Sequence, residues 1–199
     1  MKFGGYKLIF VAVGLIGVLL IATPALIDFI RLPAGGQFSE LYLLGSGPQA
    51  ENYPFNIAVG QNYSVDVSVG NHLGSSASYV LYVKFQNEND MLPNSTAMTP
   101  SPVPPLYEYR FSTADGNTWE SPLAFSVSNA TISANQAVVE TLMINGFNFN
   151  VDKLAIWDSN SATFTYRMVF ELWLYNATSN SDQFNDRFVE LNLNLTQAS

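Results

Sequence analysis

The chain has 199 residues, and 16 acidic against 8 basic side chains give it a formal net charge of −8 at pH 7. This balance repels nucleic-acid phosphates, so we expect no nucleic-acid partner. Cysteine is absent and histidine occurs once. The composition therefore excludes disulfides and thiolate metal sites, and it leaves no ordinary ligand set for a transition metal.

The first predicted element is a membrane-spanning helix. Leu8–Ile27 is an uninterrupted run of 20 uncharged, mostly apolar residues. A helix rises about 1.5 Å per residue and a bilayer core is about 30 Å thick, so roughly this length crosses it. Lys2 and Lys7 precede the run and favour a cytoplasmic N-terminus. We predict a cytoplasmic N-terminus at residues 1–7, one transmembrane anchor helix at 8–30 and an extracytoplasmic domain at 31–199.

A cleaved secretory signal peptide is the alternative interpretation, because small residues surround Ala22 and Ala25. The apolar region of a signal peptide is usually about 7–15 residues long, which is shorter than this run and favours the anchor. Both interpretations place the following residues outside the cytoplasm. From Leu32 to Ser199 the chain carries fifteen acidic and five basic side chains. Its net charge there of about −10 would also repel anionic lipid headgroups.

Five Asn-x-Ser/Thr sequons lie in this external part. In a surface protein such sequons are acceptors for N-linked glycans. A chain rich in Asn, Ser and Thr also acquires some of them by chance. The candidate glycosylation sites are Asn62, Asn94, Asn129, Asn176 and Asn194.

The external part has the pattern of a β-domain. Val65, Val67 and Val69 alternate with polar residues and would share one face of a strand. The turn-forming residues 70–75 and the apolar run at 77–86 predict that these two strands form a hairpin. Further strands are predicted at 38–44, 106–112, 123–128, 138–144, 162–175 and 184–195, of which 138–144 is also compatible with one or two helical turns. Such short, closely spaced strands predict a mainly β fold, an antiparallel immunoglobulin-like β-sandwich of about eight strands behind the one N-terminal transmembrane helix. The run at 164–173 contains four large aromatic residues and should be a central strand.

One segment interrupts the strand pattern. Met91–Pro105 contains five prolines and cannot join a central ladder. We expect a long exposed crossover between the two sheets, or a lid at a sheet edge. A docking arm for a proline-binding partner is the functional alternative.

Four phrases follow the apolar run: Gln37–Gly45 (QFSELYLLG), Ala50–Pro54 (AENYP), Val59–Gly60 and Val67–His72 (VSVGNH). Together they cover roughly residues 37–85 and resemble an archaeal family of membrane proteins, catalogued as domain of unknown function sixteen-sixteen. The resemblance implies an archaeal surface protein with an immunoglobulin-like domain, and it implies no activity and no catalytic residues. Many family members have several membrane helices, whereas this chain has one.

The candidate chemical groups are few. His72, with Asn71, falls in the predicted hairpin turn, and no nucleophile motif accompanies it, so we assign no catalytic residue. The oxygen-rich loops 87–90 and 115–118 are alternatives for calcium, although neither has EF-hand spacing. We therefore predict no cofactor and no metal site. Tyr53 is expected to pack against the end of the sandwich.

Three functional hypotheses follow. The first is a non-catalytic, membrane-anchored binding or accessory module of the cell envelope, with a protein or glycan partner at the cell surface. The second is a pilin-like filament subunit with its apolar helix in the filament core. A processing site of Lys or Arg followed by Gly or Ala is missing, since Phe3 follows Lys2 and Leu8 follows Lys7. The third is a surface hydrolase, which would need two facing carboxylates about 5–10 Å apart.

Overall fold

The computed structural model describes residues 36–45 and 51–196, and this part of the chain contains ten β-strands and no helix. The prediction of a mainly β fold is confirmed, with ten strands in place of about eight. The predicted N-terminal segment 1–7 and anchor 8–30 lie outside the described residues. Within the described residues there is no helix long and apolar enough to cross a membrane. The strands are β1 (Phe38–Leu44), β2 (Asn56–Ile57), β3 (Tyr63–His72), β4 (Ala77–Asn87), β5 (Tyr107–Thr113), β6 (Thr118–Ile132), β7 (Gln136–Ile144), β8 (Phe147–Asp158), β9 (Thr163–Asn176) and β10 (Ser181–Leu195).

The strands form one hydrogen-bonded network with two parts. The first half-sheet has the order β1-β3-β6-β7-β8, and all its pairs are antiparallel. The second half-sheet has the order β5-β4-β9-β10-β2, and only its β10–β2 pair is parallel. Strand β8 belongs to both parts, because Trp157 and Asp158 at its end pair with β9.

The two half-sheets share one hydrophobic core. Val65, Val67 and Val69 of β3 are fully buried, as the alternating pattern predicted. Strand β9 pairs with β4 on one side and with β10 on the other, so it is the central strand that its aromatic residues predicted. Phe164 and Phe170 of β9 are fully buried in the same core. Burial of each large apolar side chain contributes about 1.5–3 kcal/mol to folding.

The predicted hairpin of β3 and β4 is wrong. Strand β3 pairs with β1 and β6, whereas β4 pairs with β5 and β9, so residues 73–76 connect the two half-sheets. Asn71 lies inside β3 and not in a left-handed turn. It is fully buried, and its Nδ2 donates to the carbonyl oxygens of Ser75 (2.8 Å) and Thr113 (3.0 Å). A turn within one sheet and a connection between two sheets have the same polar composition. The composition of residues 70–75 therefore could not distinguish a hairpin from a connection between the half-sheets.

The proline-rich segment Met91–Pro105 is not a crossover between the half-sheets. It connects β4 to β5, which are paired neighbours in the second half-sheet. It also folds back onto that sheet, because Ser101 is only 4% exposed and contacts both β4 and β9. The segment therefore covers part of the sheet surface that faces away from the core.

Candidate binding face

The outer surface of the second half-sheet, facing away from the core, carries an aromatic row formed by Tyr82, Trp173 and Phe184. Trp173 and Phe184 are direct cross-strand partners on β9 and β10, and Tyr82 lies diagonally across on β4. The ring centroids are 5.4 Å apart for Tyr82 and Trp173 and 6.0 Å apart for Trp173 and Phe184. The outer face of an antiparallel sheet is usually polar, so three half-buried rings in a row are unusual there.

Beside the aromatic row lies a buried ion pair. The Nζ atom of Lys84 is 2.8 Å from each carboxylate oxygen of Glu171, and the side chains are 4% and 0% exposed. Lys84 is on β4 and Glu171 is on β9, so the pair joins two neighbouring strands on the outer face. A buried charge requires both a partner and hydrogen bonds, and here both are present.

The proline-rich segment completes this polar cluster. Lys84 Nζ donates to the carbonyl oxygen of Ser101, and the Ser101 N–H donates to Glu171 Oε1, both at 2.8 Å. Gln86 Nε2 donates to Ser101 Oγ at 2.6 Å. The indole Nε1 of Trp173 donates to Glu171 Oε2 at 3.2 Å. One carboxylate therefore holds the segment and also fixes the middle ring of the aromatic row.

An exposed charge cluster lies on the other side of the aromatic row. Arg110 Nε donates to Glu108 Oε1 at 2.9 Å, and Arg110 Nη1 donates to Asp182 Oδ2 at 3.0 Å. The hydrogen bonds to Glu108 and then to Asp182 raise the pKa of Arg110 above its ordinary value. Solvent screens this exposed cluster, so its contribution to stability is small. Its effect is to neutralise the guanidinium next to the aromatic row.

Strand β10 contains a bulge directly after the aromatic row. The pairing register with β9 shifts between Phe184 and Arg187, which leaves Asn185 and Asp186 outside the ladder. Asp186 has a φ of +51°, a left-handed conformation that is uncommon outside glycine. Asn185 Nδ2 and Asp186 Oδ1 are buried and have no hydrogen-bond partner among the described residues. Bulges often redirect side chains next to binding sites.

The bulge borders an open hollow of about 390 Å³. Its lining includes Tyr175, Asn176, Gln183, Phe184, Asn185 and Asp186. Tyr175 is 43% exposed, and its Oη donates to Asn180 Oδ1 at 2.7 Å. Sequence patterns do not predict this site, because the bulge is defined only by the register of β10 on β9.

The five candidate glycosylation sites lie on separate elements. Asn62 and Asn94 are exposed in connections, and Asn129 is exposed on β6, where its Nδ2 donates to Glu140. Asn176, at the end of β9, donates from Nδ2 to Gln183 Oε1 at 3.1 Å. Asn194 lies in β10 between β9 and β2. Only Asn176 borders the hollow.

His72 contacts two side chains of the neighbouring strand β1. Its ring stacks on Phe38 at 4.8 Å, and its Nε2 is 3.6 Å from Glu40 Oε2. Tyr53 packs against the core, and its hydroxyl donates to the Leu43 carbonyl oxygen at 2.7 Å. Both residues belong to the phrases on which the family resemblance rests; His72 acts here as a packing group, and Tyr53 as a packing and hydrogen-bonding group.

The two oxygen-rich loops have internal partners. In the loop at 87–90, Asp90 Oδ2 accepts from Lys153 Nζ at 2.7 Å, so an ammonium already neutralises this carboxylate. In the loop at 115–118, Asp115 Oδ1 accepts from the Gly74 N–H at 2.8 Å. Throughout residues 36–45 and 51–196, no group of three or more His, Cys, Asp or Glu side chains is placed to hold a metal ion.

Several solved structures show weak likenesses. The β-glucosidase from Listeria innocua in complex with glucose has 10% identity and a TM-score of 0.40, covering 84% of this chain and 19% of the enzyme. The chain thus spans about a fifth of that enzyme's length. The CARDB domain of a Pyrococcus furiosus protein, in complex with di-metal ions, has 10% identity and a TM-score of 0.37, covering 80% and 90%. The sporulation control protein Spo0M from Bacillus subtilis has 8% identity and a TM-score of 0.39, covering 82% and 51%.

Family membership follows from the sequence itself. No curated protein matches the chain. The family described as Domain of unknown function (DUF1616) matches residues 32–175, well beyond the phrases at 37–85. This match confirms the family resemblance, and the chain belongs to the DUF1616 family.

Proposed function

We propose that the protein is a non-catalytic, membrane-anchored binding or accessory module of the cell envelope. The observation that carries this proposal is the aromatic row Tyr82–Trp173–Phe184 on the outer face of the second half-sheet. Its middle ring is held in place by the hydrogen bond to Glu171. Rigid aromatic side chains on a solvent-facing surface are the usual anchors of recognition surfaces, because they bury much apolar area with little loss of entropy.

The carboxylates around the aromatic row support binding over catalysis. Glu171 is paired with Lys84, and both Glu108 and Asp182 are bound to Arg110. A carboxylate that already holds a cation is poorly suited to act as a general acid or base. This arrangement therefore favours the accessory module over the surface hydrolase.

The same proposal includes a location at the cell surface and an immunoglobulin-like fold. The apolar run Leu8–Ile27 would serve as a single-pass anchor, with the β-domain outside the cytoplasm. Two half-sheets around one core support an immunoglobulin-like sandwich. The excess of acidic side chains and the five sequons are compatible with an exposed, glycosylated surface protein. The family resemblance suggests an archaeal source.

The proposal is tested in native membranes of the source organism. The full chain is extracted with a mild detergent, sized on a native gel, and its co-migrating proteins and glycans are identified by mass spectrometry. Trp173→Ala and Tyr82→Ala alter the aromatic row. Phe147→Ala is the matched control, because Phe147 is 62% exposed and lies on β8 away from the row. Thermal unfolding of each variant confirms that it is folded.

We expect a defined complex that persists in the control and is lost in both variants of the aromatic row. Migration of the wild-type chain as a single species, with no bound protein or glycan, would contradict the proposal. Recovery of the chain from surface filaments, with an N-terminus inside residues 4–8, would favour the pilin-like alternative.

A further inference from the structure

The hollow beside the β10 bulge has the chemistry of a sugar site. Asn185 Nδ2 is a hydrogen-bond donor and Asp186 Oδ1 is an acceptor, and neither has a partner among the described residues. Both residues border the same hollow of about 390 Å³. Buried polar atoms without partners are rare in native proteins and therefore require an explanation.

A ligand hydroxyl would satisfy both atoms, because a hydroxyl accepts and donates at once. Sugars carry such hydroxyls on adjacent carbons. Because these two atoms are buried in the free protein, the side chains must turn toward the ligand, and the bulge makes this feasible because neither residue is held in the β9–β10 ladder. The left-handed backbone of Asp186 is a local strain of the kind that clusters at binding sites.

Aromatic rings supply the second part of a sugar site. Tyr175 and Phe184 border the hollow, and Phe184 continues into the aromatic row toward Trp173. The apolar C–H face of a pyranose packs against such rings, while its hydroxyls point to the edge. The hydrogen bond from Tyr175 Oη to Asn180 Oδ1 fixes one ring before any ligand binds. This preorganisation lowers the entropic cost of binding.

The charges around the hollow select a neutral ligand. Asp182 and Asp186 place two carboxylates at this end of the sheet. The adjacent cation, Arg110, is already bound by Glu108 and Asp182. An anionic sugar would meet the Asp186 carboxylate, whose Oδ1 has no partner among the described residues, and the excess of acidic side chains in the external part repels anions in the same way.

We propose that this hollow binds a neutral pyranose ring of a cell-envelope glycan, an inference that rests on the binding function proposed above. Asn176 lies at the rim, so a glycan on Asn176 of the same chain is another source of the same chemistry. Its Nδ2, however, donates to Gln183, and its Oδ1 accepts from the N–H groups of Thr178 and Ser179. These contacts hold the amide within the hairpin and favour an external glycan.

The test measures binding of the full chain, made in a bacterial host that does not glycosylate it and held in a zwitterionic detergent. Glycoside detergents are avoided because they carry the sugar under test. The probes are immobilised neutral hexose and N-acetylhexosamine oligosaccharides, with uronic-acid oligosaccharides of equal length for comparison. Asp186→Gly removes the carboxylate and suits the left-handed backbone, so this variant should fold. Tyr175→Ala removes the exposed ring, and Phe147→Ala is the control.

We expect binding to at least one neutral series and to no uronic series. Asp186→Gly and Tyr175→Ala should each weaken binding by about tenfold or more, the usual effect of losing a central contact. The control should bind as the wild type does. If a neutral oligosaccharide binds and neither Asp186→Gly nor Tyr175→Ala weakens its binding, the sugar site is not in this hollow and the proposal is wrong.

The remaining outcomes separate this inference from the proposed function. If no oligosaccharide binds while the aromatic row still captures an envelope protein, the sugar site is wrong and the accessory function stands. If neither an oligosaccharide nor an envelope protein binds, both the sugar site and the accessory function are wrong. Chain from the native host is compared with its Thr178→Ala variant, which lacks the sequon at Asn176. Sugar binding that appears only in that variant would show that the chain's own glycan fills the hollow, which overturns the external source.

Discussion

Removing one partner of the buried ion pair of Lys84 and Glu171 should destabilise the fold far more than replacing both partners. In Lys84→Met the apolar stem is kept and the ammonium is lost, so the Glu171 carboxylate, 0% exposed, would remain without its cation. In Glu171→Gln the Lys84 ammonium would lose its carboxylate, and Ser101 would lose its charged acceptor. A double variant leaves no uncompensated charge.

The magnitude follows from the burial of both groups. Removing one partner of a buried pair costs about 3–5 kcal/mol, because the remaining charge is desolvated and unpaired. Replacing both partners costs much less, since the attraction in a buried pair barely exceeds its desolvation penalty. At about 2–4 °C per kcal/mol for a domain of this size, each single variant should unfold about 6–20 °C below the wild type.

The assay is urea and thermal unfolding of the full chain, followed by tryptophan fluorescence. Trp173 reports on the pair directly through its Nε1 contact with Glu171. We expect a double variant more stable than either single variant. Single variants within about 1 kcal/mol of the wild type, or a double variant as unstable as the sum of the two, would refute the reasoning. Lys153→Met is a control, because its pair with Asp90 is partly exposed and should be worth little.

Three further predictions concern other parts of the domain. Asn71→Ala should lower the free energy of unfolding by about 2–3 kcal/mol, because the buried Thr113 carbonyl would lose its donor and the buried Tyr79 hydroxyl would lose an acceptor. His72→Phe should change it by less than about 0.5 kcal/mol; equal urea midpoints for both variants would contradict this. Burial raises the pKa of Tyr166 from 10.0 to about 12, so its stabilising contribution is complete below pH 10 and is lost as pH rises through about 12. Urea midpoints between pH 8 and 12 should therefore fall less steeply in Tyr166→Phe, and parallel curves would show that the phenol is not responsible. Mass spectrometry of the native chain should find glycan on exposed Asn62 and none on Asn194, which lies between two paired strands; a modified Asn194 would contradict the strand assignment.

The sequence predicted those strands in which local pattern and tertiary pairing agree. Strand β1 was predicted at Phe38–Leu44 and has these bounds. The ambiguous run at 138–144 is a strand because β6 and β8 pair with it on both sides. Strand β8 (Phe147–Asp158) was not predicted, since its asparagines and aspartates are rare in strands. Pairing with β7 and β9 overrides that propensity.

The candidate site could not be predicted because it depends on register. Lys84 and Glu171 are 87 positions apart in the chain, and only the pairing of β4 with β9 brings them together. Trp173 could have been assigned to an outer face, because Leu172 and Leu174 flank it and alternate with it. Nothing in the sequence near Asn185 and Asp186 distinguishes an unpaired bulge from two more strand residues.

The buried polar cluster and the aromatic row act as one unit on the outer face. Glu171 accepts hydrogen bonds from Ser101 of the proline-rich segment and from the indole of Trp173. A change in the proline-rich segment should therefore alter the environment of the Trp173 ring through Glu171, while the core stays in place. Ser101→Pro, which deletes the N–H donor, should shift the emission of Trp173 while β4 and β9 stay paired. If the fluorescence of Trp173 is unchanged, the segment is only a cover, and the aromatic row is positioned by its cross-strand neighbours alone.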